Sequence, residues 1–261
     1  MAVSIPFGGP KLKVARGRKH TAELQTEIGN YLSRLPYGIF LQQDTQTGDH
    51  SVEMGMRERI PADLVIIFGD AIHNIRTALD LLANDLVALS GEFPKGVYFP
   101  FSKTAEDLEN QIKGKMSSAR SDILDIVRSL KPYPGGNDLL RAIHDLDITD
   151  KHKTLLAVSM VQTFSSPMRN VVVDRLTIQA EPDWAQLPIE VADMAGYHFP
   201  PSAKTIIGRV KGVASNVALS EGAPLGGTPV IEALDKAASL VEGIIKIFEA
   251  HCLRFQPSSV E

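Results

Sequence analysis

The sequence predicts an α+β protein, a helical bundle packed with an antiparallel β-sheet or hairpins, and three observations carry that expectation. Pro61 to Leu89 is a long apolar stretch with helical periodicity. Ile231 to Cys252 repeats apolar residues every three or four positions. Two regions rich in Val, Leu and Met alternate with period two around turn-forming residues. The strands fall between the helices in chain order, which predicts one α+β domain over residues 1–261. Its helical elements are expected at 11–35, 61–90, 104–153 and 228–253, with strands within 37–58 and 154–220.

In the first helix His20, Leu24, Ile28, Tyr31 and Leu32 lie on or near one line, so His20 points where the leucines point. Lys11, Lys13, Arg16, Arg18 and Lys19 make its start basic, which suits either phosphate contact or a solvated face. Pro36 ends this helix. The segment YGIFLQQDTQTGDHSVEMGMRERI reads as a hairpin about TQTGDH, with Val52, Met54 and Met56 alternating against Ser51, Glu53 and Arg57. Pro61 suits the first turn of the central helix. Gly91–Ser102, with Pro94, Phe99, Pro100 and Phe101, is a connector.

Thr104–Leu130 is helical in two pieces split near Gly114, with Ile123, Ile126, Val127 and Leu130 as apolar positions. Pro132, Pro134, Gly135 and Gly136 break it, and a further helix starts near Asn137. There Leu139, Ile143 and Leu146 share a face, which Asp150 continues if the helix persists one more turn. Leu155–Phe164 and Asn170–Gln179 predict a second hairpin. Ala180–Ala203, with four prolines and the only tryptophan, Trp184, reads as a loop, and Ile206–Leu219 supplies one or two more strands. Thr228 is an N-cap candidate with Pro229 at the first helical position. In the last helix Ile231, Leu234, Ala238, Val241, Ile245, Phe248 and Cys252 form one stripe, so Cys252 reads as a buried structural thiol.

The chain has 261 residues, 44% hydrophobic and 22% charged, enough to bury a large core. A net charge of −4 argues against nucleic-acid binding by the whole surface, though not by a local basic patch. A single cysteine excludes an internal disulfide and fits a reducing compartment. No apolar run approaches the ~20 residues of a membrane span, and MAVSIPFGGPKLKV lacks a signal-peptide core. A cytoplasmic protein without membrane attachment is expected. The long apolar helices could also supply a homodimer face.

On the central helix His73, Arg76, Asp80 and Asn84 fall within an arc of roughly 80° beside the apolar stripe. An interior polar row needs partners, because an unpaired buried charge costs several kcal/mol or neutralises itself. Arg76 and Asp80 can pair at i,i+4, leaving His73 and the spare Arg76 donors to find groups elsewhere. The second polar concentration is Arg141, His144, Asp145, Asp147, Asp150, Lys151 and His152. His73, His144, Asp147, Asp150 and His152 are metal-ligand types, but no HExxH, CxxC or DxDxDG spacing occurs, so neither metal nor cofactor is expected. The usual nucleotide cradles and the GxSxG elbow are missing too. What remains is acid/base chemistry, in which a histidine near an arginine moves a proton and stabilises a developing phosphorane or oxyanion.

The blocks GDAIHNIRTALDLLA, SLKPY, IHDLDITDKHKTLL and PLGGTPVIEAL resemble, in that order, an uncharacterised bacterial protein family, and the likeness spans most of the chain. The helical core also loosely resembles HEPN bundles, small helical domains that cleave RNA or bind nucleotides. Their arginine is followed by four to six residues and then a histidine, the pair acting on the RNA 2′-hydroxyl and phosphate. Here Arg76 is followed by TALD and then Leu81, so the histidine is replaced. The resemblance implies a binding or regulatory protein for a phosphate-bearing ligand, with a nucleotide or RNA as partner. Its rival is a metal-independent RNA endonuclease using Arg76 with His73 or His152, and a third reading is a purely structural polar core with function at a protein interface. The candidate catalytic residues are His73, Arg76, Asp80 and His152; the candidate ligand-binding residues are His20, Asn84, His144, Asp147, Asp150 and Lys151.

Overall fold

The computed structural model describes residues 7–34, 36–43, 50–56, 58–92, 95–152, 158–162, 172–178, 206–211, 215–220 and 222–254. Side-chain surroundings are described for 7–34, 36, 58–92, 95–148, 217–220 and 222–253. Six helices carry the described structure: α1 Gly8–Ser33, α2 Ala62–Ala88, α3 Leu108–Met116, α4 Ser121–Ser129, α5 Asp138–His152 and α6 Val230–Arg254. Two compact units emerge from the chain, and each is assembled from non-contiguous pieces. One combines 1–25, 62–158 and 219–261; the other combines 26–61 and 159–218.

In the first unit α2 is the centre. Leu64, Phe68, Ala71, Ile72, Ile75, Leu79, Leu82 and Leu86 form the expected stripe, each at most 3% exposed, and Val65, Ala78, Ala83 and Val87 widen it until most of the circumference is buried. Leu89, expected in the stripe, lies just past the helix end and is 52% exposed, while Ile66 marks the open side. Leu234, Ala238, Val241, Ile245 and Phe248 of α6 are buried as expected, whereas Cys252, two residues before the end of the helix, is only half-buried. The break between α3 and α4 comes at Ser117–Arg120, and Gly114 sits inside α3. In α5 the buried face is Leu140, Ile143 and Leu146 instead of Leu139, and the carboxylate continuing it is Asp147. Asn137 Oδ1 accepts the Leu140 N–H at 3.1 Å, so an Asn cap sets where α5 begins.

The basic start of α1 is largely paired within the chain. Arg18 grips Glu242 of α6 through Nε at 2.7 Å and Nη2 at 3.0 Å, Lys11 pairs with Glu249, and Lys13 donates to Asn74 of α2 at 3.1 Å. The expected phosphate-contacting or solvated face is thus mostly a clamp onto α6 and α2; Arg16 and Lys19 remain exposed.

The second unit contains the strand segments β1 Tyr37–Gln43, β2 His50–Met56, β3 Val158–Gln162, β4 Val172–Ile178, β5 Ile206–Lys211 and β6 Ser215–Leu219, of which β3 and β6 run to its edge. Backbone pairing sets β1 antiparallel to β2, from Tyr37 opposite Met56 to Gln43 opposite His50, as the alternation predicts. Among the described residues β3 and β4 do not pair as the predicted second hairpin requires: β4 pairs antiparallel with β5, and β3 neighbours β6. Period-two alternation marks a strand but leaves its partner open, and loop closure favours the nearer segment only weakly. The base of the first hairpin is tied by the buried Tyr31, whose hydroxyl donates to the Glu58 carbonyl at 2.9 Å. Trp184 and the segment Ala180–Ala203 lie outside the described residues.

Gly17 lets α1 close on α2, because a Cβ there would lie 2.7 Å from Ile75 Cγ1 and 3.2 Å from the Ala71 carbonyl oxygen. Gly17→Ala is expected to lower stability by about 1–3 kcal/mol through overpacking. Gly29→Ala, on an open face of the same helix, should instead stabilise by up to about 1 kcal/mol. Thermal unfolding of the two variants beside the unsubstituted chain checks both signs.

Candidate functional site

The polar row of α2 meets α5 in a ladder. His73 faces Asp147 and Arg76 faces His144, so numbering rises along one helix as it falls along the other and the two run antiparallel. Both pairs of positions are three apart, about one helical turn, which stacks the two contacts along a single seam.

In the first contact Asp147, 4% exposed at its side chain, accepts from His73 Nδ1 at 2.8 Å, while the His73 side chain is 45% exposed. A buried carboxylate thereby fixes the ring and its tautomer and leaves Nε2 on the open side, where Thr77 Oγ1 lies at 3.4 Å. That is the arrangement of an oriented general acid/base.

The second contact is buried. Arg76 is 8% exposed; its Nε donates to His144 Nδ1 at 3.3 Å, its Nη1 donates to Asp80, and its Cζ sits 5.0 Å from the centroid of Phe101. Phe101 also stacks on His144, ring centroids 4.4 Å apart and 12° from parallel. The expected Arg76–Asp80 pair is therefore present. Asp80 has a second role, since its Oδ1 accepts the Phe99 N–H at 2.9 Å. Asn84 donates to the Val97 carbonyl at 3.1 Å. At the other end Arg141 donates to the Ser102 carbonyl at 2.8 Å and grips Asp145 through Nε at 2.9 Å and Nη2 at 2.5 Å. The connector from Val97 to Ser102 is thus bonded to both helices.

Because Arg76 donates to Nδ1, the neutral His144 ring carries its proton on Nε2. Burial, and then the guanidinium groups of Arg76 and Arg141, push its pKa down from 6.5 to about 4, against the opposing pull of Asp145. His144 is consequently a neutral N–H donor in an electropositive surrounding.

The other expected residues fall as follows. His20 is 8% exposed on α1, where its described partner is Glu23 at 3.3 Å, and none of its described contacts reaches the seam. Asp150, Lys151 and His152 belong to the last turn of α5 by backbone, but their side chains lie outside the described residues. Among the described residues no group of three His, Cys, Asp or Glu side chains could hold a metal ion. Among the described residues no helix is long and apolar enough to cross a membrane. Phe101, Ser102 and Arg141 were missed as site residues. One signal for Arg141 was present: RTALD at 76–80 and RAIHD at 141–145 repeat the same Arg-to-Asp spacing on the two facing helices.

The depressed His144 pKa sets the sign of an acid effect. Native His144 resists protonation while the unfolded chain takes a proton below about pH 6.5, so its contribution to stability is full above 6.5 and is lost as pH falls toward 4. Denaturant titrations across that window should show a decline of up to about 1 kcal/mol per pH unit, discounted for partial solvent access, and His144→Gln should flatten it. No family model, curated protein or solved structure matches this chain, so what the seam does is argued from its own geometry.

Proposed function

We propose that the chain is a HEPN-like α+β protein that binds a phosphate-bearing ligand such as a nucleotide or RNA at the α2–α5 seam. The observation that carries this reading is the His144 ring, its Nδ1 taken by the buried Arg76 at 3.3 Å and its face stacked on Phe101, with Arg141 three residues before it on α5. Each cation is partly compensated by a carboxylate, yet the pull of the two guanidiniums on His144 is strong enough to help keep a proton off it. The same field favours a phosphoryl oxygen, and the Nε2–H of His144 is a donor for it. A cytoplasmic bacterial protein with no membrane attachment, able to pair with a second copy, belongs to the same reading.

The His73–Asp147 pair favours a second reading, the metal-independent RNA endonuclease. His73 Nε2 would take the proton of a ribose 2′-hydroxyl as its oxygen bonds to the adjacent phosphorus, the bond from phosphorus to the 5′-oxygen breaks to leave a 2′,3′-cyclic phosphate, the departing 5′-oxygen takes a proton from water or from the His73 imidazolium, and Arg76 or Arg141 would face the charge that develops. Arg76 itself is held by Asp80, His144 and Phe101, so its substitution would first disturb packing.

Calorimetric titration with adenosine monophosphate separates these readings from a purely structural core. Binding that weakens by about tenfold or more in Arg141→Met supports the ligand reading; no heat from the unsubstituted chain removes it. Labelled RNA incubated in EDTA addresses the enzyme. Cleavage that drops about 10²–10⁴-fold in His73→Gln is expected of a general base, and an uncut substrate leaves binding alone.

A further inference from the structure

The open contact of the seam continues past His73. Thr77 lies one turn further along α2, half-buried, and its Oγ1 is 3.4 Å from His73 Nε2. Asp147 holds the other ring nitrogen at 2.8 Å. Because the buried carboxylate accepts from Nδ1, Nε2 of the neutral ring is an acceptor, and the Thr77 hydroxyl donates to it. Hydroxyl, imidazole and carboxylate thus stand in series, the order in which a hydroxyl is activated as a nucleophile. Such a constellation is recognised by its geometry and not by the sequence motif around it.

A threonine inside a helix can spend its hydroxyl on the carbonyl four residues back. Thr21 of α1 does so, donating to the Gly17 carbonyl at 3.1 Å. The described hydrogen bond of Thr77 goes instead to an imidazole. The β-branch of Thr77 restricts χ1, so the hydroxyl is held in place by the stiffness of its own side chain. The His73 side chain is 45% exposed, which leaves the pair open to a small molecule. Thr77 also lies well inside α2, where backbone amides are bonded to the carbonyls four residues back, so the helix offers no spare N–H to a developing oxyanion. Only an acyl group with a good leaving group suits such a site.

We propose that Thr77 is a covalent acyl acceptor, with His73 as its base and Asp147 as the group that positions His73, and that its substrate is a small activated acyl ester or thioester. Thr77 Oγ1 bonds to the acyl carbon as its proton passes to His73 Nε2. The bond from that carbon to the leaving oxygen or sulfur then breaks; the leaving atom keeps the electron pair and takes a proton from the imidazolium or from water. Asp147 stays ionised throughout. The product is an ester on Thr77, which water cleaves slowly for want of an amide donor to its carbonyl. This inference stands on the contacts of His73 and does not depend on phosphate binding.

The test mixes the full chain with p-nitrophenyl acetate, follows p-nitrophenol by absorbance and locates the acetyl group by peptide mass spectrometry. A burst of about one equivalent and an acetyl group on Thr77 are expected. Thr77→Val, which puts a methyl group where the hydroxyl was, should abolish the burst, and Thr77→Ser should keep it. His73→Gln should slow it by about 10²-fold or more. Asp147→Asn should slow the burst while leaving its amplitude at about one equivalent, whereas a purely structural loss would lower the amplitude at an unchanged rate and overturn the positioning role. An acetyl group on His73 in place of Thr77, a burst that survives in Thr77→Val, an unchanged rate in His73→Gln, or no burst from the unsubstituted chain overturns the proposal. Should the valine variant fail to fold, the position of the acetyl group in the unsubstituted chain decides. Binding of adenosine monophosphate alongside any of these failures leaves the phosphate reading standing.

Discussion

One buried guanidinium organises the seam between α2 and α5. Arg76 has its charge met by Asp80 on its own helix, its Nε spent on His144 of the facing helix and its flat face laid against Phe101 of the connector. A planar cation with donors in a fixed fork can serve three elements at once, and a lysine cannot. Such an arrangement contributes less net stability than its number of contacts suggests, because taking the ions out of water offsets much of the attraction. What it supplies is selectivity: removing any one partner leaves the others short of a hydrogen bond in a dry place. The apolar stripe of α2 could meet other helices in several registers; the polar row admits far fewer.

The seam divides into a closed part and an open one. The closed part is Arg76 with Asp80, His144 and Phe101. The open part is His73, oriented from behind by a carboxylate that solvent hardly reaches. The two lie a single turn apart, so a ligand anchored by the positive field of the first would bring its reactive atoms within range of the second. In the reading proposed above, binding and proton transfer would use neighbouring turns of one seam.

The helices were the legible part, since long apolar periodicities state both their existence and their inward face. The Arg76–Asp80 pair and the need of His73 for a distant partner followed from spacing and from the cost of buried charge. The identity of that partner did not follow. Asp147 and Asp150 are three residues apart and sit on nearly the same face, and the choice between them depends on a start of α5 fixed by the Asn137 cap and on whether Leu139 or Leu140 points inward. Phe101 was hidden for a different reason. A connector between prolines carries no periodicity, so nothing local announces that one of its rings meets both a cation and an imidazole. Strand partners were equally unreadable, because alternation marks which face is apolar and says nothing of what lies alongside.

The doubly tethered connector bears on how far the two helices can slide. A shift of α5 by one turn, about 5.4 Å, would carry Asp147 toward Arg76, an exchange of partners that keeps opposite charges together and that electrostatics alone would tolerate. The segment between Val97 and Ser102 works against it by acting as a gauge block. It is bonded to α2 through Phe99 and Asp80 and to α5 through Ser102 and Arg141, so any slip must strain the six residues Val97–Ser102, which are held to both helices. The distance between the imidazole that stays neutral and the imidazole that meets solvent is thereby set by a length of loop rather than by the helices it joins.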